Sequence, residues 1–202
     1  MLFLDFSAAQ IAGIAVALVV GITFHEFSHA FIADQLGDHR PRALGRVSLN
    51  PVAHIDPVGA IVFLIAGFGW GKPVPVNVYA LRPGRIGMAM VAAGGPIANV
   101  VVAVVAAVLY RVLDMSGVEG FGLEIGRWIV FFNLVLAVFN LIPIPPLDGY
   151  NVVLAFLPPK QAFMVQRYAS YGVLLLLILL PGGPLSVLLA PVRPLTEVLI
   201  GA

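Results

Sequence analysis

Long uncharged apolar runs decide what this chain can fold into. Residues 8–24, AAQIAGIAVALVVGITF, carry no charged side chain. Four segments, about 8–36, 87–111, 126–145 and 161–181, are apolar over enough residues to cross about 30 Å of hydrocarbon at about 1.5 Å per residue. Only 10% of the 202 residues are charged and 60% are hydrophobic, whereas a soluble domain carries roughly 25% charge. The expectation is an all-α polytopic membrane protein with four to six transmembrane helices, in one domain over residues 1–202. Its core would cover about 8–158, with C-terminal helices over about 161–200.

Between the first two long helices lies Val58–Trp70, apolar but only 13 residues, which suits a re-entrant piece. Gly71-Lys72-Pro73-Val74-Pro75-Val76-Asn77 follows, with proline at alternate positions, so it can only be an edge strand or an extended loop. A last stretch, about 185–200, is interrupted by Pro191, Arg193, Pro194 and Glu197 and reads as a weak final helix or an interfacial segment. The N-terminus has no Lys or Arg before the first helix, hence no basic leader region, and that helix is expected to stay in the protein. Arg40, Arg42, Arg46, Lys72, Arg82 and Arg85 cluster over residues 37–87. By the positive-inside rule this stretch is cytoplasmic and the N-terminus outside. The net charge of +1 gives no footprint for nucleic acid.

His25-Glu26-Phe27-Ser28-His29 sits in the inner part of the first helix. Two imidazoles four residues apart share one helix face, the spacing for two zinc ligands with a carboxylate available as general base. Charged and polar groups at such depth are costly and call for a functional reason. The chain has no cysteine, so a metal here must use histidine and carboxylate. Candidates for a third ligand are few: His39, His54 and a handful of acids. Asp148 is the choice, at the inner end of the 126–145 segment in Pro143-Ile144-Pro145-Pro146-Leu147-Asp148-Gly149, where Gly149 permits a tight turn. His25, His29 and Asp148 reach one depth only if Val58–Trp70 enters and leaves on the same side. Glu26, beside His25, is then free to take a proton from the attacking water and pass it to a leaving amine.

HEFSH in a membrane helix, followed in order by NPVAHIDP, GKPVPVN, GGPIAN and NLIPIPPLDG, resembles the site-2 proteases, the intramembrane zinc metalloproteases. The likeness covers about residues 20–158 and is closest to small bacterial and archaeal members without PDZ or CBS domains. It implies one Zn²⁺ per chain held by His25, His29 and Asp148, Glu26 as catalytic base, and Asn140 holding the substrate backbone or the developing oxyanion. Asn140 stands eight residues before Asp148, taken as two turns of one helix. His54 falls in a family motif near the active site, as a substrate-binding or supporting residue. Implied substrates are transmembrane segments of other proteins, cut in a prokaryotic inner membrane near its cytoplasmic face. Some relatives carry a helix before the HExxH helix, whereas this sequence begins with it.

Other polar residues read more simply. Asn99, Asn133 and the GGP element are assigned to helix packing, Asp56 to capping the next segment, Arg40, Arg42 and Arg46 to topology, and His39 to no role. Two rival functions stand beside the protease: an inactive membrane adaptor of the same fold, and a metal transporter. The transporter expects polar groups along a whole path, yet the outer half of the first helix is apolar throughout.

Overall fold

The computed structural model describes residues 6–66, 69–179 and 183–201. Among them the chain runs through α1 (Ala8–Gln35), a single turn α2 (Arg40–Ala43), α3 (Pro57–Ala66), α4 (Arg85–Met115), α5 (Phe121–Asn140), α6 (Asp148–Phe156), α7 (Pro159–Arg167), α8 (Gly172–Leu179), α9 (Gly183–Leu189) and α10 (Val192–Ile200). Short 3-10 turns lie at Pro51–Ala53 and Ala169–Tyr171. Three helices, α1, α4 and α5, are long and apolar enough to cross a membrane. They pack on one another as the centre of the molecule, and α6 packs on α4.

Small residues let these helices approach. The buried stripe of α1 runs Gly13, Ala17, Gly21, His25, His29 and Ala33, a repeat of four that keeps one face turned inward. A Cβ on Gly13 would lie 2.7 Å from Trp128 Cδ1, and one on Gly21 would lie 2.7 Å from Leu136 Cδ1, so α5 occupies the space those glycines leave. On α4 the buried residues include Ala92, Gly95, Asn99, Ala103 and Ala107, while Val100, Val101, Val104, Val105 and Val108 are exposed. Small side chains inward and branched apolar ones outward is the pattern of a helix whose outer solvent is lipid.

Three expectations need correction. The segment expected as one helix over 126–145 ends at Asn140, because Pro143, Pro145 and Pro146 cannot continue it; Asp148 opens a separate helix. The segment expected over 161–181 is broken into α7, a 3-10 turn and α8, with residues 180 and 181 outside the described ones. Lys160, Gln161, Gln166 and Arg167 interrupt its apolar run, and Gly172 seats against the turn after α5, where a Cβ would lie 2.2 Å from the Pro145 carbonyl oxygen. The expected β element reduces, among the described residues, to a single antiparallel bridge between Ile55 and Gly71.

That bridge still does topological work. Lys72 N–H donates to the His54 carbonyl at 2.7 Å, and a Cβ on Gly59 would lie 2.2 Å from Trp70 O. The two ends of the segment containing α3 therefore meet. Asp56 caps α3, its Oδ1 accepting from Val58 N and Gly59 N at 2.9 Å each. Residues 67–68, inside the expected re-entrant piece, lie outside the described ones.

The C-terminal stretch, expected as weak, is well packed. Val192 and Ile200 join Ala103, Ala107, Val130 and Leu134 in one buried cluster. Arg111 donates to the carbonyls of Val198 and Leu199 at 2.6 Å each, and Arg127 pairs with Glu197 at 2.5 Å.

Candidate active site

His25 and His29 are buried on the inward stripe of α1, 7% and 8% exposed. The turn after α5 aims the first residue of α6 at them. Asp148 Oδ2 lies 3.1 Å from His25 Nε2 and 3.3 Å from His29 Nε2. Among the described residues this buried oxygen has no hydrogen-bond partner. Gly149 makes the approach of α6 possible for a steric reason rather than the conformational one expected: a Cβ there would lie 2.1 Å from Leu141 O.

The far sides of both imidazoles are fixed. His25 Nδ1 meets Asn99 Oδ1 at 2.7 Å. Asn99 spends its amide hydrogens on Gly21 O at 3.0 Å and Asn133 Oδ1 at 2.9 Å, so its Oδ1 can only accept and His25 must donate from Nδ1. His29 Nδ1 donates to Val91 O at 2.7 Å. In the neutral imidazoles both Nε2 atoms then carry lone pairs, and a carboxylate oxygen presents another at the same point. Three buried lone pairs within 4.8 Å of one another are repulsive unless a cation lies among them. Two imidazole nitrogens and one carboxylate oxygen are the donor set of a three-ligand zinc site, with the outer imidazole nitrogens tied as such sites require.

α4 supplies the wall behind the histidines. A Cβ on Gly95 would lie 2.5 Å from His25 Cε1, 2.5 Å from His29 Nε2 and 2.6 Å from His29 Cε1. Gly95 and Asn99 are one turn apart on the same face. GGPIAN, assigned from sequence to packing, therefore belongs to the site: its glycine admits the two rings and its asparagine orients one of them. The i, i+4 spacing was the available signal, and it needed the knowledge that α4 lies against α1.

Glu26 is half-buried on the adjoining face of α1. Arg46, expected as a topology residue, turns inward with a side chain only 6% exposed and places Nη2 3.8 Å from Glu26 Oε2. Arg42 and Arg40 clip acids instead: Arg42 pairs with Asp34 at 2.6 Å and Arg40 with Asp38 at 2.8 Å. His39, exposed, also reaches Asp34, at 3.0 Å. His54 is fully buried, its Nε2 donating to Ser48 O at 2.6 Å, while its Nδ1 has no partner among the described residues. It does not join the His25–His29–Asp148 group. Asn140, the last residue of α5, donates from Nδ2 to Leu136 O at 2.9 Å. It does not share a helix with Asp148, and no hydrogen bond among the described residues joins it to the group.

Known proteins agree with this chemistry. The model of the family described as Peptidase family M50 matches residues 118–180, from the entry to α5 through Asp148 to the end of α8. The "Putative zinc metalloprotease YwhC" of Bacillus subtilis (strain 168) is 35% identical over 184 residues, 88% of this chain and 84% of that one. The "Putative zinc metalloprotease Rip2" of Mycolicibacterium smegmatis is 30% identical over 185 residues, 83% of this chain and 68% of that one. The "Zinc metalloprotease MJ0392" of Methanocaldococcus jannaschii is 25% identical over 173 residues, 85% of this chain and 42% of its own. No solved structure matches the chain. An apolar helical fold, a buried two-histidine, one-aspartate group and identity running through most of both chains converge on one assignment: the chain belongs to peptidase family M50, the site-2 proteases, whose members use zinc.

Proposed function

We propose that this protein is an intramembrane zinc endopeptidase that hydrolyses peptide bonds in or near the transmembrane segments of other membrane proteins. The observation that carries the proposal is the buried meeting of His25 Nε2, His29 Nε2 and Asp148 Oδ2, with no hydrogen bond to Asp148 Oδ2 among the described residues. In this reading those three residues hold zinc, which when bound would polarise the scissile carbonyl and acidify the attacking water. Glu26 is flanked in sequence by the ligand His25 and points from a different face of α1, so it accepts the water's proton and delivers it to the leaving amine. Asn140 is assigned to the substrate backbone or the oxyanion, which requires its amide to leave the Leu136 carbonyl. No covalent enzyme intermediate is involved, because no serine or cysteine nucleophile is needed.

The arginine-rich stretch near the inner ends of α1 and α4 supports a cytoplasmic placement for the site and an outer N-terminus, and the bacterial and archaeal sources of the relatives support a prokaryotic inner membrane. The meeting of Ile55 with Gly71 supports a re-entrant course for the segment that contains α3. An intact helix hides its carbonyls, so a substrate segment must unwind before attack. The extended stretch from Gly71 to Asn77 is the proposed receiver, by strand addition: among the described residues no backbone hydrogen bond occupies the N–H or C=O of Val74 or Val76.

The test needs no known substrate for its first half. Detergent-purified protein is expected to hold about one zinc per chain by elemental analysis. Asp148→Ala is expected to lose it, whereas Glu26→Gln keeps it and abolishes cleavage of a reporter bearing a helix-broken transmembrane segment. Metal-free wild-type protein, or a Glu26→Gln variant that still cleaves, would refute the assignment.

A further inference from the structure

Two motifs remain that the zinc chemistry does not use, the stretch GRVSLNPVAHIDP and the strip that starts at Gly71. They meet at Arg46. From the loop after α2 its guanidinium donates to Pro73 O at 2.9 Å and also to Lys72 O, while Nη2 stands 3.8 Å from Glu26 Oε2. From the same motif the His54 carbonyl accepts Lys72 N–H at 2.7 Å. His54 is itself held by its ring on Ser48 O. The strip is pressed against the base: a Cβ on Gly71 would lie 3.3 Å from Glu26 Oε1 and 3.2 Å from His54 O. At its other end Asn77 N–H donates to Asp38 Oδ2 at 2.6 Å, and Val76 packs beside Ala33, Leu81 and Val91.

The strip is thus held at both ends and, among the described residues, carries no backbone hydrogen bond at Val74 or Val76 between them. A buried arginine is expensive unless its donors are used. Here the two terminal nitrogens are used by the Pro73 and Lys72 carbonyls, and Nη2 also faces the Glu26 carboxylate as an ion pair at 3.8 Å, while Nε has no hydrogen-bond partner among the described residues. All three groups it faces belong either to the strip or to the base. We propose that Arg46 is a positioning residue: its planar fork fixes the distance between the strip from Gly71 to Pro73 and the carboxylate of Glu26, and so sets where a strip-bound substrate backbone lies relative to the base. The proposal rests on the protease reading above. A lysine cannot replace the fork, because a single ammonium lacks the planar pair of donors that spans two adjacent carbonyls.

The absence of cysteine makes the test direct. A spin label on Val74→Cys reports strip mobility without reference to activity, and is read in the otherwise wild-type, Arg46→Ala and Arg46→Lys proteins. Zinc content and steady-state cleavage of the reporter segment are measured on the same three backgrounds without the label. Arg46→Ala is expected to keep full zinc, to raise label mobility, and to lower kcat by about 10–100-fold with KM changed less than about threefold, since misplacement by about 1 Å has effects of that size. KM holds because Asp38 and Val76 still tether the strip's far end. Arg46→Lys is expected to fall between wild type and Arg46→Ala in both mobility and kcat. Unchanged mobility in Arg46→Ala overturns the proposal whether or not cleavage can be measured. Zinc loss in either variant also overturns it, by assigning Arg46 to the fold of the metal centre. Loss of zinc-dependent cleavage in Glu26→Gln with normal strip mobility keeps this test separate from that of the protease reading.

Discussion

Replacing Gly95 with alanine tests the site at its tightest point. The added Cβ would stand 2.5 Å from His25 Cε1 and from His29 Nε2, and 2.6 Å from His29 Cε1. Ordinary carbon contacts lie at about 3.5 Å, so both rings must retreat by about 1 Å. Neither can turn in place, because His25 Nδ1 is tied to Asn99 and His29 Nδ1 to the Val91 carbonyl, both at 2.7 Å. Zinc ligands tolerate about 0.2 Å of misplacement, so metal affinity should fall at least about 100-fold. Stability should move far less. Overpacking costs about 1–3 kcal/mol, and removing a mid-helix glycine returns roughly 0.5–1 kcal/mol. The control is the neighbour, Gly94→Ala, where the new Cβ meets Ile32 Cδ1 at 2.4 Å and Ser28 Oγ at 3.0 Å. Those are tips of side chains that can swing aside, so zinc should be retained. The assay is zinc per chain after dialysis against a graded chelator, with thermal unfolding followed in the same detergent. A Gly95→Ala protein that holds zinc as wild type does would refute the claim that α4 forms the wall of the metal site. Equal zinc loss in both variants would refute the claim that steric contact with the imidazoles is the cause.

Two other perturbations have defined outcomes. Asn99→Ala removes the acceptor that fixes His25, and zinc affinity should drop about 10–100-fold by chelator competition, with the helical content intact by circular dichroism. Asp38 is buried and holds the far end of the Gly71–Asn77 strip; the Arg40 fork beside it lowers its pKa from 3.8 to about 2. A lowered folded-state pKa means its contribution is complete above the unfolded value and is lost as pH falls from about 4 to about 2. A spin label on Val76→Cys should therefore loosen over that window, and Asp38→Asn should loosen it at neutral pH and remove the acid step.

Much of the centre was legible in the sequence because each part had a short-range signature. HExxH puts the two histidines and the acid proposed as ligands and base on one helix turn, and α1 keeps that spacing. Asp148 could be chosen by elimination, since a chain with 10% charge offers few acids. The continuity of helices was legible only where composition stayed uniform. The proline run ended α5 at Asn140, and the polar residues of α7 divided the segment that apolar length alone would have made one span. Asn140 shows the consequence: counting eight residues back from Asp148 gives two turns only if no break intervenes, and one does.

What stayed hidden depends on which helix lies against which. Asn99 in isolation is one amide in an apolar helix, and packing is a sound reading of it. Its role appears once α1 and α4 are adjacent, because only then does Asn99 stand where the His25 Nδ1–H needs an acceptor. The same reasoning separates the three arginines after α1. All satisfy a charge rule that counts position along the chain and is blind to direction. Arg40 and Arg42 stay exposed and pair with Asp38 and Asp34, whereas Arg46 is buried and bound to backbone carbonyls of a strip that lies 26 and 27 residues away. A charge rule reads orientation relative to the bilayer; a fork that spans two carbonyls reads the separation of two pieces of the active site. One residue can satisfy both demands, and for Arg46 burial shows that the second is the costlier and therefore the more informative.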